Sequence, residues 1–278
     1  MKTIVITGGT DGIGRGLAEH CLDDGYDVLV VGRSEAKGEA FASLSEHAHF
    51  LPADLSLIEA NRRVIGQIAE RFPKIDVLVL GARYHRSART VTGDGIESNF
   101  ALFYLSRFLF SHGLAGPLRR AEHPVVLNFG GAGLTTPIRW DDLQLEHGYH
   151  GVSAMGHAGR LNDLLAVDFL DRHADTDIRY VINLPGVVVT SFAGEYEHSP
   201  VTASQVEELR VVGKPVSQAV AEILPFLRPG GDRLTAVREG LRLALEPSAW
   251  DATEARRLHD LTQAVLAEHD HRTVRRQL

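Results

Sequence analysis

The residues with the clearest chemical potential lie at the start of the chain. Thr7-Gly8-Gly9-Thr10-Asp11-Gly12-Ile13-Gly14 follows the apolar run Thr3-Ile4-Val5-Ile6 and opens a stretch with helical spacing. Glycines Gly8, Gly12 and Gly14 suit a dinucleotide loop. Such a loop needs glycine for a tight turn, for close approach of backbone to a pyrophosphate, and for close packing of helix on strand. The N–H groups exposed across Thr10, Asp11, Gly12 and Ile13, together with the helix dipole, would hold the phosphate charge. The chemistry beside such a loop is usually done by a tyrosine with a lysine four residues on. Here the six tyrosines, Tyr26, Tyr84, Tyr104, Tyr149, Tyr180 and Tyr196, are followed at that distance by Val30, Ala88, Phe108, Ser153, Leu184 and Pro200. The cofactor site reads as present and the usual proton donor as missing.

The rest of the chain must position this loop. Its 278 residues, 44% of them hydrophobic, suffice for one large core, so residues 1–278 are read as a single domain. A net charge of −7 without a basic stripe argues against a nucleic-acid partner. Cys21 is the only cysteine, which suits a reducing cytosol. The N-terminus shows no signal-peptide pattern, and no apolar run reaches the roughly 20 residues of a membrane helix. A cytoplasmic protein with no membrane partner is therefore expected. Self-association into a homo-oligomer stays open.

Short apolar runs alternate with longer segments of helical spacing. The runs are Thr3–Thr7, Asp27–Val31, Ala48–Ala53, Ile75–Leu80, Val125–Phe129 and Ile178–Leu184. Several are almost continuously apolar, as strands buried on both faces should be. Between them, sets such as Leu17/Cys21, Val64/Ile68/Phe72 and Leu161/Leu164/Leu165/Phe169 mark helices. The alternation predicts an α/β fold: one Rossmann-type, doubly wound parallel sheet with helices on both faces. Pro225, Pro229, Gly230 and Gly231 break the pattern. A helical extension is expected from about residue 232, with helices over 234–245 and 253–268 and a solvated end carrying Arg272, Arg275 and Arg276.

The spacing Thr-Gly-x-x-x-Gly-x-Gly resembles the short-chain dehydrogenase/reductase superfamily, and the resemblance extends through most of residues 1–190. Ala53-Asp54-Leu55-Ser56 looks like the segment that contacts adenine, through Asp54 and Leu55. The segment Pro185-Gly186-Val187-Val188-Val189-Thr190 looks like the clamp on the nicotinamide carboxamide, with Pro185, Gly186, Val188 and Thr190 at the motif positions. Thr92–Phe100 resembles a helix start of the retinol-dehydrogenase-like branch. Leu80-Gly81-Ala82-Arg83 stands where the family has Asn-Asn-Ala-Gly, which places Gly81, Ala82 and Arg83 beside the cofactor. Arg33, at the end of the second strand, offers a planar fork for a ribose 2′-phosphate, and Ser34 adds a hydroxyl. Both favour NADPH. Asp11 weighs the other way, since many NADP-dependent relatives carry a basic residue there.

The family's tetrad is Asn, Ser, Tyr and Lys, and local motifs place Phe103, Gly131, Gly156 and Arg160 at those positions. Catalytic residues are thus unassigned. Arg160 is expected to take over the lysine's contact with the cofactor ribose. The two glycines are expected to vacate space above the nicotinamide for a bulky, flat substrate, bounded by Phe103, Gly131, Ser153, Gly156, His157 and Tyr196. His157 is weighed as an alternative donor against a surface or capping role. Ser153 reads equally as a helix cap and Tyr196 as an exposed loop residue. The histidines, including His85 and His150, show no metal-ligand spacing, and no metal is expected.

These features point to an NADPH-dependent ketoreductase acting on a small-molecule ketone. The Gly131/Gly156 pattern resembles tetrad-lacking ketoreductases of angucyclinone polyketides, whose phenols can supply the proton. A catalytically silent NADP-binding regulator, and a non-redox lyase or isomerase, are the alternatives.

Overall fold

Strand β1 (Thr3–Thr7) is buried along its whole length, the outcome expected of an uninterrupted apolar run at the middle of a sheet. The computed structural model describes residues 1–192, 194–195 and 207–277. After β1 come α1 (Gly12–Asp23), β2 (Asp27–Gly32), α2 (Glu35–Ala42), β3 (Ala48–Pro52), α3 (Ile58–Arg71) and β4 (Val77–Leu80). The two-residue strand β5 (His85–Arg86) follows. Then Ser98–Phe100, a π-helical turn Ala101–Leu105 and α4 (Ser106–Gly113) run on without a break. The second half holds β6 (Val125–Asn128), α5 (Gly151–Arg172), β7 (Arg179–Leu184), β8 (Gly194–Glu195), α6 (Val216–Leu227), β9 (Leu234–Arg238), β10 (Leu241–Leu243) and α7 (Ala252–Gln277).

The main sheet has eight strands in the order β10-β9-β7-β6-β4-β1-β2-β3. All its pairs are parallel except β9 with β10. One apolar layer fills each face: Val5, Leu78, Val126 and Tyr180 look toward α3, α4 and α5, while Ile4, Val79, Leu127 and Val181 look toward α1 and α6. The order reverses between β1 and β4, which opens a crevice at their carboxyl ends. This is the α/β architecture expected. Among the described residues no helix is long and apolar enough to cross a membrane.

The expectation for the last fifth of the chain needs correction. Residues 234–243 form a hairpin of the main sheet, β9 pairing parallel with β7 and β10 turning back on it. The turn is Glu239-Gly240, both with positive φ (49° and 78°), the pattern of a tight two-residue hairpin. The apolar residues fit a helical period as well as a strand, and the turn decides. The extension proper is the 3₁₀ turn Pro247–Ala249 followed by α7, which agrees with the helix expected over 253–268. Ala255, Leu258 and Leu266 of α7 pack with Phe100, Tyr104, Phe108, Leu161 and Leu165 in a third apolar cluster.

Candidate functional site

Steric necessity accounts for the glycine loop. Gly8 and Gly12 have φ of 72° and 53°, a region that costs L-residues free energy. A Cβ on Gly8 would stand 2.7 Å from Ala82 N, and one on Gly14 would stand 2.3 Å from Gly8 O. The Thr7 hydroxyl accepts the Gly81 N–H at 3.1 Å and ties the ends of β1 and β4 together. Thr10 packs its side chain against Gly32 at the end of β2. Ile13 packs into the core, which leaves the first turn of α1 to present backbone N–H groups. The cradle fits a pyrophosphate, and side chains at Gly8, Gly12 or Gly14 would fill or distort it.

Asp11 caps α1, its Oδ1 accepting the Gly12 N–H at 2.7 Å. Its other oxygen pairs with Lys37 on the first turn of α2. Burial works against ionisation of Asp11, but Lys37, Ser191 and the Gly12 N–H hold the carboxyl below its ordinary range. Lys37 therefore neutralises the acid that weighed against a phosphate here, a role the motif reading did not find. Arg33 is exposed, with its guanidinium 4.6 Å from the Tyr84 ring centroid; Arg86 sits 5.0 Å from the same ring. The Ser34 hydroxyl caps α2, accepting the Lys37 N–H at 3.4 Å. Asp54 Oδ1 accepts from Ser56 N and Oγ, while the Leu55 side chain is buried in the core. Arg83 is exposed and reaches Met155 Sδ on α5 at 3.6 Å.

The segment after β7 turns at Gly186 (φ 74°). It is then pinned to the strand-like partner Lys214: Val189 N donates to Lys214 O at 2.9 Å, and Lys214 N donates to Val187 O at 3.0 Å. The Lys214 ammonium pairs with Glu222 on α6. Val188 is buried. A Cβ on Gly12 would lie 2.9 Å from the Thr190 methyl, so this segment faces the glycine loop across the crevice.

The tetrad positions behave differently from one another. At Gly156, aligned with the tyrosine, a Cβ would meet nothing within 4 Å among the described residues. At Gly131 the expected space is absent: a Cβ would stand 2.8 Å from Asp163 Oδ2 and 2.9 Å from Leu134 Cδ1. Asp163 is fully buried on α5, and its Oδ2 accepts the N–H groups of Gly133 and Leu134 at 3.0 Å each. Its Oδ1 is buried and makes no well-formed hydrogen bond among the described residues. Burial pushes this carboxyl up to about 7, against the N–H bonds and the Arg160 charge. Phe103 lies in the π-helical turn under the Arg107 guanidinium, 4.1 Å away, and its carbonyl accepts from Asn162.

Arg160 is corrected outright. It does not face the cofactor crevice. It is 3% exposed, donates to the carbonyls of Ala249 and Ser248, and pairs with Glu254 at 2.9 Å. A longer, forked cation reaches the C-terminal segment that a lysine could not satisfy at three points. His157 is buried, not a surface residue. Its Nε2 accepts the Arg139 N–H at 3.3 Å, and burial pushes it down to about 4, so it is neutral near pH 7. Ser153 is exposed inside α5, whose cap residue is His150. Tyr149 accepts from Asn99 at 2.7 Å and donates toward Glu97, and burial raises it to about 12. Tyr196 lies outside the described residues.

Besides Lys37 and Asp163, motif reasoning missed Arg107. Its guanidinium is fully buried and bonds Asn128 Oδ1 at 2.7 Å, Ala82 O at 3.2 Å and Phe129 O, joining the ends of β4 and β6 beneath the crevice. Burial pushes it down to about 9. Nothing in the local sequence around residue 107 signals this, because its partners come from two other strands.

The short chain dehydrogenase family model matches residues 2–128, the part that builds the cradle and the first four parallel pairs of the sheet. Over these residues the match agrees with the resemblance to the short-chain dehydrogenase/reductase superfamily read from the motifs. Mouse retinol dehydrogenase 12 is 30% identical over 198 residues, 68% of this chain and 62% of that one. Human polyprenol dehydrogenase is 28% identical over 51% of this chain and 47% of its own length. The chain therefore spans less than two thirds of these two relatives. Human retinol dehydrogenase 14 is 25% identical over 95% of this chain and 86% of its own. Among solved structures, the 3-alpha-hydroxysteroid dehydrogenase from Pseudomonas sp. B-0831 superposes with a TM-score of 0.67 at 20% identity, covering 86% of this chain and 96% of that one. A likeness of this order establishes the fold.

Proposed function

We propose that the protein is an NADPH-dependent ketoreductase for a bulky, flat, aromatic ketone. One observation carries the reading: the glycine cradle and the Pro185–Thr190 segment face each other, with no described atom within 4 Å of a Cβ at Gly156. Bound NADPH would supply a hydride to the carbonyl carbon. The chain's own residues then have three tasks. The first turn of α1 holds the pyrophosphate, Arg33 and Lys37 favour a 2′-phosphate, and Pro185–Thr190 orients the nicotinamide. No described tyrosine stands by Gly156, and His157 is a buried acceptor rather than an acid. The proton for the carbonyl oxygen is therefore assigned to the substrate, from a phenol hydrogen-bonded to its own ketone. Holding the reactants together, worth an effective molarity of about 10⁵–10⁸ M in favourable cases, does not need a protein acid.

The retinol and polyprenol dehydrogenases among the relatives support redox chemistry on large apolar molecules. The diversion of Arg160 to Glu254 favours the second reading, a silent NADP-binding regulator. The deciding experiment follows NADPH oxidation against a panel of aromatic polyketide ketones, with Gly156→Tyr alongside. Turnover by the parent and a raised KM in the variant support the reductase. NADPH binding without oxidation across the panel supports the regulator.

A further inference from the structure

We propose that His112, Asp168 and His259 bind one divalent transition-metal ion, zinc in the first instance, and that this ion fastens α7 to the body of the fold. The three side chains come from α4, α5 and α7. One ligand atom of each lies within 4.8 Å of the others. Asp168 Oδ2 stands 3.5 Å from His112 Nε2 and 2.7 Å from His259 Nδ1. Tetrahedral ligands bound at about 2.0–2.2 Å stand about 3.3 Å apart, so small ring movements admit an ion.

Two further observations point to a ligand. His112 Nε2 is buried, and its contact with Asp168 Oδ2 at 3.5 Å is too long for a good hydrogen bond, so among the described residues this ring nitrogen is poorly satisfied. Asp168 is 2% exposed, and its Oδ1 is held by Arg172 Nε at 2.8 Å, which leaves Oδ2 turned toward the two histidines. On the other ring nitrogen of His259, Gln263 lies 3.3 Å away; with its amide flipped it accepts the proton that Nε2 carries once Nδ1 takes the metal. Two imidazoles and one carboxylate with a fourth place for water suit zinc, cobalt or nickel better than magnesium or calcium. The ligands are far apart in the chain, so the absence of metal-ligand spacing in the sequence is no guide here. The cluster shares no residue with the cofactor site.

Full-length protein stripped with a chelator is titrated with Zn²⁺ by calorimetry and with Co²⁺ by visible spectroscopy. The expected result is one ion per chain, a visible spectrum of four-coordinate Co²⁺ with nitrogen and oxygen donors, and a raised melting temperature. His112→Gln and His259→Gln should each weaken Zn²⁺ binding about tenfold or more. Their metal-free circular dichroism and melting establish that they fold, and the Co²⁺ spectrum of the parent reads the donor set without any variant. His269→Gln alters the separate Glu59/His269/Asp270 cluster and should leave binding intact. Absence of stoichiometric binding, binding that survives both His112→Gln and His259→Gln, or binding lost in His269→Gln overturns the proposal.

Discussion

Asp163 fills the place that a side chain at Gly131 would need: its Oδ2 lies 2.8 Å from the Cβ position of residue 131. The same oxygen holds the N–H groups of Gly133 and Leu134, so the turn leaving β6 is organised by a buried acid. A side chain at 131 and the carboxyl of Asp163 therefore compete for one place, and adding the first while the second remains should be costly.

Gly131→Ser should destabilise the protein by about 1–3 kcal/mol, the usual cost of overpacking. In an Asp163→Ala background the same serine should cost less, since the closest obstacle is gone. A double-mutant cycle by urea denaturation measures the coupling. Equal costs in both backgrounds would show that Asp163 and residue 131 do not compete.

Asp163 should also leave a mark on stability against pH. Its folded pKa of about 7 is raised above the ordinary carboxyl value of about 3.9. The folded state then keeps its proton where the unfolded chain loses it, so stability falls as pH rises from about 4 to about 7 and levels off above. Asp163→Asn removes this slope while an amide oxygen still accepts the two N–H bonds. Across that window the variant should gain on the parent by about 4 kcal/mol. Parallel melting-temperature curves for the two proteins would refute the assignment.

Arg160→Ala should loosen the C-terminal segment and spare the cofactor. The change removes donors to Ala249 and Ser248 and the pair with Glu254, at a cost of about 1.5–3 kcal/mol. Amide exchange across 247–277 should quicken, with NADPH affinity unchanged. A selective loss of NADPH affinity would return Arg160 to the cofactor.

The sheet and the cradle were legible because they are local. The β1 run, the loop glycines and the Pro185–Thr190 segment each declare themselves within a few residues. The hairpin of β9 and β10 was hidden by an apolar pattern that fits two periods, with only Glu239-Gly240 to choose between them. Arg160 was misplaced because position in a motif does not fix where a long side chain reaches, and its partners lie near residue 250. Asp163, Lys37 and Arg107 act through contacts with distant elements, and no spacing encodes those.

Cofactor choice should depend on two cations, not one. Arg33→Ala and Lys37→Ala should each weaken NADPH, since a charge-assisted phosphate contact is worth about 1.5–3 kcal/mol. NADH should be little affected by Arg33→Ala. Asp11→Asn should strengthen NADPH by freeing Lys37 from its pair. Fluorescence titration of both cofactors checks the set. Equal affinity of the parent for NADH and NADPH would sink the claim.

The source of the proton can be separated from every nearby side chain. Tyr149 is committed to Asn99 and Glu97, Ser153 faces solvent, and His157 is a neutral acceptor at pH 7. Alanine at any of the three should change shape or binding and leave substantial turnover, and the same is expected of Tyr196→Ala. If the substrate phenol is the acid, methylating it next to the ketone should slow hydride transfer by roughly 10²–10⁴, as for a lost general acid. Single-turnover rates distinguish that loss from weaker binding. Turnover should also show no fall with a pKa near 4, because His157 would not be the titrating group. A dead alanine variant with normal affinity for NADPH and substrate would identify the acid on the protein and end the substrate-assisted account.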